Sequence, residues 1–165
     1  VGTPGSRDLW RAGRMQKIST CLWFESEAGE AAEFYTSTFD NSSLGQSMAG
    51  PDGTVIMVDF EVEGRQFMAL NGRPGFGFNE GVSLVVNCEN QNEVDRYWDA
   101  LVDGGEEGRC GWLKDKFGVS WQIIPTAMPE FLNGPDEAGS RRAMEAMMKM
   151  GKLDLAVLKR AYDGD

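Results

Sequence analysis

Apolar positions along this chain switch between a period near two and a period near 3.6, and the switch happens twice in the same order. Ile18 to Phe24 is a short β-like run. From Ala28 to Phe39 the apolar positions Ala28, Ala31, Ala32, Phe34, Tyr35 and Phe39 fall at helical spacing. Asp40 to Gly53 is polar and glycine-rich and reads as a loop. Thr54 to Glu63 reads as a strand, Gly64-Arg65 as a hairpin turn, and Gln66 to Asn71 as the returning strand. Gly72 to Gly81 holds several glycines and a proline and reads as a connection. The order then restarts. Val82 to Cys88 is a strand, and Asn92 to Val102 is a helix with Val94, Tyr97, Trp98 and Leu101 on one face. Leu113 to Phe117 and Val119 to Ile124 form a hairpin about Gly118, and Pro125 closes the unit.

The recurrence can be checked by register. A shift of 63 places Phe34-Tyr35 on Tyr97-Trp98 and Thr20 on Ser83. In the closing hairpins a shift of 54 places Gly64 on Gly118 and Phe67-Met68-Ala69-Leu70 on Trp121-Gln122-Ile123-Ile124. Each copy, about 17–71 and 81–126, is a βαβββ module. One copy cannot cover both faces of its sheet. Two copies side by side are expected to form a curved mixed sheet, helices outside, with a concave cleft suited to a small molecule. The fold class is α+β.

Beyond the second module, 127–164 is expected to be a helical extension. Pro129 to Gly134 is turn-rich. Ser140 to Met150 and Leu153 to Tyr162 carry helical patterns, with Ser140 and Asp154 as N-caps or first-turn groups. Residues 1–14, rich in Gly, Pro, Ser and Arg, read as a tail, and Met15 opens a single folded domain over 15–164.

Composition narrows the chemistry. Among 165 residues, acids outnumber bases 26 to 16, a formal charge of −10, so no electrostatic hold on nucleic acid or an anionic membrane is expected. No apolar run approaches the roughly 20 residues that span a bilayer. There is no histidine, which removes the Ser-His-Asp and Cys-His triads, the usual zinc sites and the commonest neutral-pH base. Cys21, Cys88 and Cys110 form no C-x-x-C pair and read as reduced, mostly buried thiols of a cytoplasmic protein.

Several words in the chain resemble those of a known family. They are Leu22-Trp23-Phe24 ahead of Glu30 to Tyr35, then Ala69-Leu70-Asn71-Gly72, Val94 to Trp98, Cys110 to Gly118, Ser120-Trp121-Gln122, and the stretch Met147 to Leu155. Together with the duplicated module they resemble the vicinal oxygen chelate (glyoxalase/bleomycin-resistance/dioxygenase) superfamily, in its PhnB-like branch, often named 3-demethylubiquinone-9 3-methyltransferase. The resemblance implies a divalent metal held from four strand positions, which the repeat register puts within about one residue of Thr20, Met68, Ser83 and Gln122. None is a carboxylate or imidazole, so no metal and no cofactor is expected. A typical methyltransferase needs a glycine-rich loop after a first strand, and this chain has none.

The candidate ligand-binding residues are Trp23, Met68, Ser83, Trp112 and Gln122. Strand alternation makes Gln122 face the cleft if Trp121 faces the helices. Trp121 is expected in the core. Glu25, Glu61 and Asp115 are the acids nearest strand ends, each a base if buried and otherwise a solvated group; Lys114-Asp115-Lys116 reads as a charged turn. No catalytic residue is assigned. Three functions stay open: a small-molecule binding protein, an enzyme with altered or metal-independent chemistry, and a structural or regulatory dimer. A homodimer is expected, with Met144, Met147, Met148, Leu155 and Leu158 at the contact or covering the sheet beside it.

Overall fold

A computed structural model describes residues 16–165; the tail over 1–14 and Met15 lie outside the described residues. The chain divides into two units, one ending at Phe76 and one running from Gly77 to Asp165. No helix among the described residues is long and apolar enough to cross a membrane.

The first unit holds β1 (Thr20–Phe24), α1 (Ala28–Thr38), β2 (Ser42–Ala49), β3 (Val55–Val62) and β4 (Arg65–Asn71), with strand order β1-β4-β3-β2. The second holds β5 (Leu84–Cys88), α2 (Gln91–Val102), β6 (Glu106–Glu107), β7 (Trp112–Lys114) and β8 (Ser120–Pro125), in the matching order β5-β8-β7-β6. In both, the first strand runs parallel to the fourth and the other pairs are antiparallel. The duplication is thus present in the strand order itself. The hydrogen bonding forms two four-stranded mixed ladders, one per unit.

The register refines the repeat. Met68 and Gln122 keep the shift of 54, but Cys21 pairs with Met68 as Val85 pairs with Gln122, a shift of 64 in the opening strand. Thr20 therefore pairs with the buried Phe67 and shares the face of Leu22 and Phe24. The residue expected to match Ser83 points the other way, and Cys21 takes its place beside Met68.

β2 was expected to be loop. It is a polar edge strand, held by β3 alone, with register shifts between Leu44 and Ser47 and between Met48 and Ala49. Its residues Ser-Ser-Leu-Gly-Gln-Ser-Met-Ala show no clean alternation because an edge strand has little to bury. Gly45 is required there: a Cβ would lie 2.9 Å from the Asp59 carbonyl oxygen.

Alanine lets α1 lie close on its sheet. Ala28, Ala31 and Ala32 are fully buried, with Tyr35 and Phe39, against Phe60, Phe67 and Ala69. Tyr35 stacks on Phe60 at 6.0 Å, and Phe60 on Phe67 at 5.2 Å. No side chain of the preceding residue caps α1. Instead Asn71, at the end of β4, accepts from Ala28 N at 2.8 Å and donates to the carbonyls of Ser26 and Val55. In the second unit Asn90 caps α2, accepting from Glu93 N, and buries Val94, Tyr97, Trp98 and Leu101 as the spacing predicts.

The extension comprises α3 (Met128–Leu132), α4 (Glu137–Met147) and α5 (Leu155–Asp163). Its caps are Asp136 and Asp154; Ser140, expected as a cap, lies inside α4. Met128, Leu153 and Leu158 form its core, with Ile124, Met147 and Met150 packed on it. Leu158 is thus wholly buried within its own chain, and Met147 is partly buried against the same core. Met144 and Met148 remain exposed. Gln91 ties the extension to α2, donating to Leu153 O and accepting from Leu155 N, while Lys152 bridges Asp95 and Asp99.

Asp115 is the acid whose surroundings settle its role. It is 2 % exposed and accepts from Phe117 N, Val119 N and the Trp121 indole N–H at 2.8–3.0 Å. Gly118 sits in the same turn at φ 86, where a side chain would be strained. These bonds make Asp115 the knot of the β7–β8 hairpin rather than a base. Asp115→Ala leaves two buried donors, Val119 N and the Trp121 indole, and the half-buried Phe117 N unmet, and is expected to cost roughly 2–4 kcal/mol in urea unfolding. Trp121→Phe, which loses one bond, keeps more of the stability.

Candidate functional site

In each sheet one face is taken by the module's helix; on the other face of the second sheet Ile124, two residues on from Gln122, packs on the core of the helical extension. Strand alternation assigns every residue to one or the other. Trp121 is 3 % exposed and Ile123 fully buried, so they face α2. Gln122 therefore lies on the opposite face, where the register places Val85 on one side of it and Trp112 on the other. Gln122 Nε2 donates to Ser83 Oγ at 2.9 Å. Lys114 follows Trp112 on this face and is held by Glu80 at 2.7 Å. Their hydrogen bond raises the ammonium pKa and lowers the carboxylate pKa.

The matching face of the first sheet is more apolar. Trp23 pairs with Leu70, Leu70 with Met57 and Met57 with Met48, a row running across all four strands. Cys21, Met68 and Asp59 form the adjacent row. Trp23 is half-buried and held from behind β4: its indole N–H donates to Arg73 O at 3.2 Å, and Phe76 meets its ring edge-on at 5.3 Å. Gly72 must lack a side chain, since a Cβ would lie 2.1 Å from the Trp23 ring.

Of the five residues expected to bind ligand, Ser83, Trp112 and Gln122 come together on the second sheet, and Trp23 and Met68 share the corresponding face of the first. Glu61 also lies on the first sheet's helix-free face, opposite Gln66, whereas Glu25 accepts from Gly75 N at 3.4 Å. Two residues were missed. Asp59 lies beside Met68, and burial raises its carboxyl pKa. Cys21 is exposed on the same face, contrary to the buried thiol expected, and partial burial raises its pKa too. The signal for both was parity: counted from buried Leu22 and Phe60, each is odd in its strand.

The positions where the resemblance implies a divalent cation do not fit one. Thr20 is on the helix-bearing face; Met68 offers a thioether, and the Ser83 hydroxyl is engaged by a neutral amide. No group of three His, Cys, Asp or Glu residues that could hold a metal occurs among the described residues.

The thiols differ sharply. Cys88 is buried, and burial, with a smaller contribution from Glu93, pushes its pKa up to about 12. Cys110 is half-buried against Met147 O and Met148 Sδ. Iodoacetamide at pH 8 is expected to label Cys21 first and to leave Cys88 untouched until the protein unfolds; mass mapping of the adducts checks this. For Asp59, a raised folded pKa means the ionised form opposes folding. Asp59→Asn is therefore expected to raise stability at pH 7, with the gain vanishing below the ordinary carboxylate range near about 3.9. Denaturation series at pH 3 and pH 7 test the sign.

A family model described as 3-demethylubiquinone-9 3-methyltransferase matches residues 16–124. The PhnB protein of Bacillus cereus, whose description carries the same methyltransferase name, is 36% identical, with a TM-score of 0.64 over 67% of this chain and 100% of its own. Protein PA1353 of Pseudomonas aeruginosa is 20% identical with a TM-score of 0.58, over 67% of this chain and 98% of its own. The fosfomycin resistance protein FosX of Listeria monocytogenes is 13% identical with a TM-score of 0.50, over 67% of this chain and 94% of its own. The last two are likenesses of fold. No curated protein matches the chain.

Proposed function

We propose that this chain, which belongs to the PhnB-like family of the vicinal oxygen chelate superfamily, is a cytoplasmic homodimer that binds a small organic molecule without a metal. The observation that carries this reading is the Gln122–Ser83 hydrogen bond beside Trp112 on the sheet face opposite α2. Small-molecule sites are mostly apolar, with few polar groups held in fixed directions. Here the amide and hydroxyl fix each other across two strands, so neither must be ordered when a ligand arrives. Trp112 and Val85 offer the apolar surface around them. Trp23, Leu70, Met57 and Met68 give the first sheet a similar character.

Methyl transfer, the activity in the family's name, is not part of this reading. The first strand leads into α1 through Glu25-Ser26-Glu27, two acids and no glycine. That connection offers neither the close backbone approach nor the anion-friendly helix start that a bound nucleotide cofactor uses.

A second reading is favoured by one residue. Asp59, beside Met68 and with its pKa raised by burial, is suited to proton transfer, so an enzyme acting without metal would place its acid–base group there.

Native mass spectrometry with elemental analysis, on protein purified without chelator, tests both. An organic mass retained by the native chain is expected, with Gln122→Ala or Trp112→Ala weakening retention about tenfold or more, roughly 1.4 kcal/mol. About one transition metal per chain, lost on changing Met68, Ser83 or Gln122, would overturn the metal-free part. Turnover of the retained compound that Asp59→Asn abolishes would establish the second reading.

A further inference from the structure

Three buried side-chain hydroxyls among the described residues meet no hydrogen-bond partner: those of Ser42, Ser120 and Ser140. An unmet buried hydroxyl is destabilising, so each calls for a reason. Ser140 lies within α4, and Ser42 pairs with the buried Val62 on the side of α1. Ser120 is placed differently. It is 1% exposed and directly precedes Trp121 on β8, so alternation puts it on the face opposite α2, together with Gln122. Lys114 pairs with it across β7. Extending the β5–β8 register by one residue from Leu84 and Trp121 sets Ser83 on its other side.

The duplication supplies a control. The shift of 54 places Ser120 on Gln66, on the corresponding face of the first sheet, and there the side-chain Oε1 accepts from Gln16 N at 2.7 Å. The equivalent polar group is met in one unit and unmet in the other. Gln122 has a similar vacancy. Its Nε2 donates to Ser83, which swings the amide head toward the Ser120 row, and no described residue donates to its Oε1. The ammonium beside Ser120 is already matched, because Glu80 holds Lys114 at 2.7 Å.

We propose that Ser120 is a further ligand-contact residue, and that this face receives an uncharged carboxamide whose carbonyl oxygen accepts from the Ser120 hydroxyl while its N–H donates to Gln122 Oε1. The proposal rests on the small-molecule reading above and names the ligand's polar group. A donor and an acceptor side by side on the protein select a group that carries the opposite pair on one edge, as an amide does. Trp112, beside Gln122 in register, offers a flat apolar surface to whatever the amide is attached to. Val85, on the other side of Gln122, is 51% exposed, so this part of the face is open, whereas Ile124 further along is taken by the helical extension. A carboxylate fits worse. It brings no donor for Oε1, and its charge would face Glu80 with Lys114 already paired. The Lys114 and Glu80 side chains are 35% and 60% exposed, so their pair contributes little and moves as a unit to uncover the hydroxyl.

Benzamide, titrated into the isotope-labelled full chain and followed by two-dimensional NMR, is the test. Saturable shifts are expected at the backbone amides of Ser83, Ser120 and Gln122 and at the Trp112 indole. Benzoate, of the same shape but charged, is expected to bind about tenfold more weakly or worse. Ser120→Ala is expected to weaken benzamide about tenfold while leaving the urea midpoint of the free protein unchanged or higher, because the change removes a hydroxyl with nothing to bond. A serine with only a structural role would lower the midpoint and leave benzamide alone. Lys114→Ala is expected to keep benzamide binding. Unchanged affinity in Ser120→Ala, or a lowered midpoint, overturns the role of Ser120. Benzoate binding as tightly as benzamide, or loss of benzamide with Lys114→Ala, overturns the uncharged class. Benzamide shifts that are absent, or that fall elsewhere, overturn the subsite. Retention of an organic mass on purification is read separately, so small-molecule binding stands or falls on its own measurement.

Discussion

The indole N–H of Trp121 donates to the buried carboxylate of Asp115, and the orientation of the whole second hairpin follows from that bond. Burying a carboxylate is costly unless its oxygens are met, and here two backbone amides meet one oxygen while the indole meets the other. The bond holds Trp121 on the helix side. Because successive strand residues point to opposite faces, Gln122 is then committed to the other face, and a one-residue slip would exchange them. Val85, Trp112 and the hydroxyl of Ser83 are arranged around Gln122 by the same register. The candidate binding face is thus specified by a bond on the opposite side of the sheet.

The first unit reaches the same topology by different means. There the knot is Asn71, whose side-chain amide caps α1 and ties the β1–α1 connection to β3. Its core is aromatic stacking, Tyr35 on Phe60 on Phe67, under an alanine-lined helix. One architecture, repeated, therefore tolerates different internal ties so long as the parity of its closing strand is kept. Phe67 and Trp121, at equivalent positions, both face the helix; Met68 and Gln122, one residue on, both face away.

Most of this was legible from pattern. Strands with a buried face alternate strongly, and both module helices carry an apolar stripe, so the modules and the inward place of Trp121 could be read directly. What failed has a physical cause in each case. β2 escaped because an exposed edge strand buries almost nothing and leaves no period to detect. Thr20 was set one residue out because the βα connections of the two modules differ in length, and a shift taken from the helices does not carry back to the opening strand. The extension's methionine stripe was real, but amphipathicity states that a face is covered, not what covers it; Leu153 and Ile124 cover part of it from within the chain. Asp115 sits in a run of charges that reads as solvated, and only the approach of Trp121 reveals its burial.

The Gln122–Ser83 bond also bears on how the second sheet is held. A cation bound from adjacent strands ties them together as well as supplying charge. Under the metal-free reading, the second module makes that tie with Gln122 and Ser83, an amide on β8 reaching a hydroxyl at the start of β5. The bond is neutral, so it holds the strands without fixing a charge on the face. A face of this kind discriminates by shape and by one or two hydrogen-bond directions rather than by ligand charge. The row Trp23, Leu70, Met57 and Met48 on the first sheet has the same property. In a chain whose acids outnumber its bases 26 to 16, charge is kept to the remaining surface, and the faces proposed for binding carry little of it beyond Asp59, Glu61 and the paired Lys114.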